Sequence, residues 1–102
     1  MEELISVIIK EVDKKPKRIT VKNTLRALQQ KVNGQIEVVG IGDRVVLIVN
    51  EEGIPLGLPY NCTFMGHRIF GTMILAGVDG EDFASLPYEI ELEEGRSDLS
   101  AK

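Results

Sequence analysis

Tryptophan is absent, and two tyrosines and three phenylalanines are the only aromatic residues among 102. A core with so little aromatic bulk must rest on Ile, Val and Leu, and the β-branched pair favours sheet. The single cysteine, Cys62, excludes an internal disulfide and a thiolate zinc cage, which fits a reducing compartment. Long apolar runs are missing too. Leu4 to Ile9 is short, acidic on its N-terminal flank and broken by Ser6, whereas a signal peptide needs a basic start and a longer apolar stretch. Nothing approaches the roughly 20 apolar residues that cross a bilayer. The expected location is the cytoplasm, without membrane contact.

What is present belongs to a globule. Apolar residues make up 43% and charged residues 27%, too apolar for a disordered chain. This length holds one domain with a core that needs no disulfide. The net charge is −4, unevenly spread. Residues 1–35 carry eight Lys or Arg against four acids, and residues 36–102 carry four against twelve. The basic residues, from Lys10 to Lys22, have no aromatic among them, so a solvated turn between strands explains them better than a nucleic-acid face.

Leu4 to Val12 reads as a strand, Asp13-Lys14-Lys15-Pro16 as punctuation, and Arg18 to Val21 as the second strand of an N-terminal hairpin. Asn23 is the expected N-cap of a helix over 24–33. Its apolar stripe is Leu25, Leu28 and Val32, and Gly34 is the expected left-handed stop. Ile36–Ile41 and Arg44–Val49 flank Gly42-Asp43, a type II′ hairpin signal. The unbroken Val45–Val49 run fits a strand covered on both faces, or a one-sided sheet with an interface on its other side. Phe64–Phe70 and Thr72–Val78 look extended, and Asp79-Gly80 marks a turn. The expected architecture is α+β: a small antiparallel or mixed sheet of five to six strands with one short helix on a face. It occupies residues 1–88, with 89–102 as an acidic, partly disordered tail.

Three segments carry a resemblance: NTLRALQQKVNGQIEVV, LIVNEEGIPLGLPYN and GTMILAGVDGEDFASL. They lie in order between residues 23 and 86, and with the N-terminal hairpin ahead of them residues 4 to 86 resemble an uncharacterised family of small bacterial, phage and plasmid proteins whose domain has no known function. The family's pattern is an Asn-initiated helix, an Ile-Glu-Val strand, an Asn-Glu-Glu-Gly turn, a Leu-Pro-x-Asn step and a Gly-Thr strand. The chain departs from it at Asn33-Gly34, where the family resembles Gly-Gly. The resemblance implies a mobile-element setting and supplies no activity, cofactor or catalytic residue.

The residue patterns nominate no chemistry either. Cys62 and His67 are five apart, which on one continuous strand sets them on opposite faces. Asp79-Gly80-Glu81-Asp82 has its glycine too early for a calcium loop, and a β-turn accounts for it. Glu51-Glu52 point apart on an extended chain, and Gly40-Ile41-Gly42 lacks the lysine of a phosphate loop. No metal or cofactor is expected. In NEEGIPLGLPYN, Asn50 should bond its own backbone as the turn starts, and Gly53 should supply positive φ. Ile54, Leu56 and Leu58 should line one side of an extended, proline-stiffened segment that shields a sheet edge.

The candidate contact residues are Asn50, Tyr60, Asn61 and His67. The leading expectation is a non-enzymatic protein-interaction module that meets a host or phage protein. The alternative is a small-ligand or nucleotide-binding domain built on the same four residues. Nucleic-acid binding through the N-terminal lysines is the weakest of the three, and a homodimer stays open.

Overall fold

Val45 to Val49 and Met73 to Ala76 are unbroken apolar runs, and the computed structural model sets them side by side in mid-sheet. It describes residues 3–88 and, in backbone only, Asp98–Leu99. The elements are β1 (Leu4–Lys10), β2 (Lys17–Lys22), α1 (Leu25–Val32), β3 (Ile36–Gly42), β4 (Val45–Asn50), β5 (Tyr60–Phe64), β6 (His67–Phe70), β7 (Met73–Asp79), β8 (Asp82–Ala84) and β9 (Asp98–Leu99). The larger sheet runs β2-β1-β7-β4-β3 with β8 added to the far end of β7, and all its pairings are antiparallel. A second small sheet, β6-β5-β9, lies over it. The α+β class, with one short helix among the described residues, is as the residue patterns implied.

Both faces of the larger sheet are covered. On one side α1 brings Leu28 and Val32 onto Ile5, Val7, Ile48 and Ile74. On the other, the β5–β6 hairpin brings Cys62, Phe64 and Ile69 onto Leu47, Met73 and Leu75. Of the two readings open for Val45–Val49, the doubly covered strand is the one that forms. Among the described residues no helix is long and apolar enough to cross a membrane. The tail expected from residue 89 onward falls outside the described residues, apart from β9, whose backbone pairs in parallel with β5.

Several local expectations need correction. Thr24, not Asn23, caps the helix, its hydroxyl accepting from the Ala27 N–H at 3.1 Å. Asn23 instead donates to Glu3 and to the Phe83 carbonyl, tying β2 to β8. Asn33, not Gly34, takes the left-handed stop at φ 61°, a conformation asparagine tolerates. Leu25 sits in the first turn and remains 54% exposed, so the packed stripe is Leu28 and Val32 alone. In the β3–β4 hairpin an extra residue, Ile41, bulges between Gly40 and Gly42. The shift leaves Gly42 in the strand opposite Val45 and moves the turn to Asp43-Arg44, with Arg44 at φ 59°.

The stretch read as one strand, Phe64–Phe70, is two. Phe64 pairs with His67 across Met65-Gly66, both at positive φ (48° and 83°), as a type I′ turn requires. Glycine meets that demand freely, whereas methionine is not a residue that signals it.

Candidate functional site

Asn50 is the one buried polar side chain among the described residues, at 5% exposure. Its Oδ1 accepts from the Glu52 N–H at 2.7 Å, the expected turn onto its own backbone. Its amide also donates to the carbonyls of Val32 (3.0 Å) and Asn33 (3.2 Å). These are end-of-helix carbonyls that have no partner within the helix. One side chain thus fastens the C-terminus of α1 to the turn after β4, and both its amide hydrogens are used.

From there the chain does not extend as expected. Leu56 N–H bonds Glu52 O, Gly57 N–H bonds Ile54 O and Leu58 N–H bonds Gly53 O, coiling residues 52–58 into a helical turn. Pro55 sits early in that turn, where a missing N–H costs little, and Gly57 ends it at φ 70°. Positive φ therefore belongs to Gly57. Gly53 is needed for closeness instead, since a methyl group there would stand 2.8 Å from the Phe70 carbonyl oxygen. Coiling places Leu58 half-buried against Gly71 and leaves Ile54 and Leu56 71% and 58% exposed.

Asn61 is likewise engaged. Its amide donates to the Lys10 and Gly71 carbonyls, both at 2.8 Å, and its Oδ1 accepts from Lys10 Nζ at 2.9 Å. It is the extra residue of a bulge between Tyr60 and Cys62. Such a bulge re-aims neighbouring side chains. Cys62 and Phe64 point into the core, whereas Tyr60 turns outward opposite Phe70. Tyr60 and Phe70 meet edge to face, ring centres 5.8 Å apart, and Arg68 lies 5.5 Å from the Phe70 centroid. The Tyr60 hydroxyl bonds Thr63 Oγ1 at 2.7 Å.

The four candidate residues therefore do not converge on one ligand. Tyr60 belongs to the outward cluster, Asn61 braces the bulge behind it, Asn50 braces the loop beside it, and His67 is exposed on the other side of the hairpin, next to Ile69. A cleft of about 160 Å³ lies beside them, lined by Glu37, Val49, Ile54, Arg68, Ile69 and Phe70 among others, and only Asn50 of the four reaches it. A larger depression of about 510 Å³ is lined by Glu3, Arg44 and Pro87 among others and takes in none of them. Sequence reasoning missed Arg68 and Phe70. Their i, i+2 spacing was visible, but pairing with Tyr60 follows only once the Met65-Gly66 turn is placed.

The same register corrects the geometry of Cys62 and His67. Being on paired strands, with Cys62 opposite Ile69 and His67 opposite Phe64, they lie diagonally on one side of the hairpin. The chemistry still points away from nucleophilic catalysis. Burial pushes the Cys62 thiol up, and the nearby Lys10 ammonium draws it only partly back, whereas a reactive cysteine needs the thiolate favoured. Native Cys62 should resist iodoacetamide at pH 8 at least tenfold longer than in urea, and equal labelling rates would contradict this burial. A thiol raised by burial is neutral when folded, so its contribution is fully present below the unfolded thiol's pKa. Stability should then decline as pH rises from about 8.5 through the raised value. Cys62→Ala should lose that decline in alkaline urea melts.

No curated protein and no solved structure matches the chain. A family model does, over residues 5–96, nearly the whole sequence and every element from β1 to β8 save the first residue of β1. The chain belongs to the DUF3846 family, a domain of unknown function.

Proposed function

We propose that the chain is a non-enzymatic protein-interaction module whose contact face is the outer side of the β5–β6 hairpin together with the Ile54–Leu56 crest. The observation that carries this reading is the Tyr60–Phe70–Arg68 stack, open to one side, with the exposed Ile54 lining the same cleft as Arg68 and Phe70. Tyrosine, phenylalanine and arginine are enriched in protein interfaces, and tyrosine and arginine also among the residues that dominate binding energy. Here the packing behind them is already ordered. Asn61 holds the bulge and Asn50 the loop, so little conformational freedom is lost on contact. The mobile-element setting that the resemblance implies makes a host or phage protein the partner class to seek.

A small ligand or nucleotide is less well served. The cleft beside the four candidate residues, about 160 Å³, is roughly half the lower bound for ligand pockets, and Glu37 and Glu51 in its lining would repel phosphate. The depression of about 510 Å³ takes in none of the four. The test is capture from bacterial lysate with tagged protein, with and without nuclease. A stoichiometric protein should survive nuclease and fall at least tenfold with the Ile54→Ala, Tyr60→Ala double variant. Both positions are exposed, so the variant should melt within about 0.5 kcal/mol of the parent. Capture indifferent to both substitutions would remove this face from consideration.

A further inference from the structure

Arg68, Ile69 and Phe70 are consecutive strand residues whose side chains alternate in direction, yet all three border the cleft. A cavity bordered by both faces of a strand runs along its edge. Among the described residues β6 pairs only with β5 in the small sheet, and the Gly53 turn closes on its Phe70 end, so the edge is open at Arg68. The two-residue turn also fixes which backbone groups lie on it. Phe64 and His67 flank the turn and exchange hydrogen bonds, so the next pair, Thr63 and Arg68, does not. The N–H and C=O of Arg68 therefore point away from β5, toward the cleft.

Resting on the interaction reading above, we propose that this edge receives an extended segment of a partner protein as an added strand. The segment sets one aliphatic side chain in the cleft and carries a basic residue beside it. The aliphatic part follows from Val49, Ile54, Ile69 and Phe70 in the lining, and from the cleft's size, which holds one such side chain. The charge follows from Glu37 and Glu51, two acids against the one arginine, which already lies over the Phe70 ring. Main-chain hydrogen bonds to Arg68 would hold the segment, and the cleft and acids would select it. One edge of the larger sheet, β2, makes a contrast. β2 carries Lys17, Arg18 and Lys22, the charges that discourage strand addition. A second copy's β2 is basic but unsuited as the occupant, because its Val21 is buried under α1 and Ile19 packs in the same cluster.

Two fluorescein-labelled octapeptides test this, one alternating valine with lysine and the other valine with glutamate, titrated by anisotropy. The lysine peptide should bind at least tenfold more tightly. Arg68→Pro removes the outward N–H without touching a β5–β6 hydrogen bond, and should weaken that binding at least tenfold. Arg68→Ala keeps the N–H and should weaken it less than threefold. Glu37→Lys should invert the order of the two peptides. General attraction of a basic peptide to an acidic protein would survive Arg68→Pro, and that result overturns the proposal, as does equal affinity for both peptides. Should Arg68→Pro fail to fold by circular dichroism, a lysine peptide with alternate amides N-methylated replaces it, and undiminished binding of that peptide overturns the proposal. In the lysate capture, a partner lost with Ile54→Ala, Tyr60→Ala but retained by Arg68→Pro would remove strand addition and leave the interaction module in place.

Discussion

Asn50→Ala should destabilise the protein by about 3 kcal/mol in urea unfolding followed by circular dichroism. The side chain makes three hydrogen bonds, to the Glu52 N–H and to the Val32 and Asn33 carbonyls. Alanine leaves the buried Val32 carbonyl without a partner, and each such orphaned group costs about 1–3 kcal/mol. The effect should be more than local. An eight-residue helix has little stability of its own and depends on its seat against the sheet, which Asn50 helps to fix. Asn50→Asp gives the sharper test. It replaces the amide by a carboxylate facing two carbonyl oxygens at the negative end of the helix dipole. Its loss should match or exceed that of alanine at pH 7 and shrink as the carboxyl is protonated at low pH. A pair of variants that melt like the parent would mean that Asn50 is spare for a ligand, and the bracing role would be wrong.

Asn50 also marks how far the sequence could be read. Its bond to its own turn is local and was legible. Its two bonds to α1 cross 18 and 17 residues, and nothing near Asn50 signals them. The same divide runs through the fold. β2 and α1 show in apolar periodicity and β1, β4 and β7 in near-continuous apolar stretches, because burial on one face or on both leaves its trace in the sequence. The bulges at Ile41 and Asn61 leave none, yet each moves a register by one residue. The first displaces a turn, and the second turns Tyr60 outward to Phe70 and Arg68. The second layer depended on reading Met65-Gly66 as a tight turn, and methionine at φ 48° gives no such hint. Tyr60 and Asn61 were nominated together for contact. The fold assigns them opposite duties, one facing out and one holding the backbone that faces it.

Gly77→Ala should be the most damaging methyl added to any described glycine. Gly77 lies in β7 between Val45 of β4 and Ala84 of β8, and the segment after β8 crosses directly over it. An added Cβ would overlap the Ser85 carbonyl oxygen and stand 2.9 Å from the Ser85 carbonyl carbon and 3.2 Å from the Ala84 oxygen. These are backbone atoms, with no side-chain torsion to relieve them. Either β7 bends in mid-sheet or residues 84–86 lift away. Lifting breaks the Ser6 N–H to Ser85 Oγ bond at 2.8 Å and the Leu86 N–H to Ser6 O bond at 3.0 Å, and uncovers Leu86, now 9% exposed. Two hydrogen bonds at about 1 kcal/mol each and a leucine at about 2 kcal/mol put the loss near 4 kcal/mol. That is a large part of the 5–15 kcal/mol that a domain typically has. Leu86→Ala should reproduce about half of it. Gly40→Ala supplies the control, since its methyl meets no atom within 4 Å and should change stability by no more than about 0.5 kcal/mol. A midpoint for Gly77→Ala as close to the parent as that of Gly40→Ala would mean that the crossing segment is not held against β7, and the closure of the sheet by residues 84–86 would have to be abandoned.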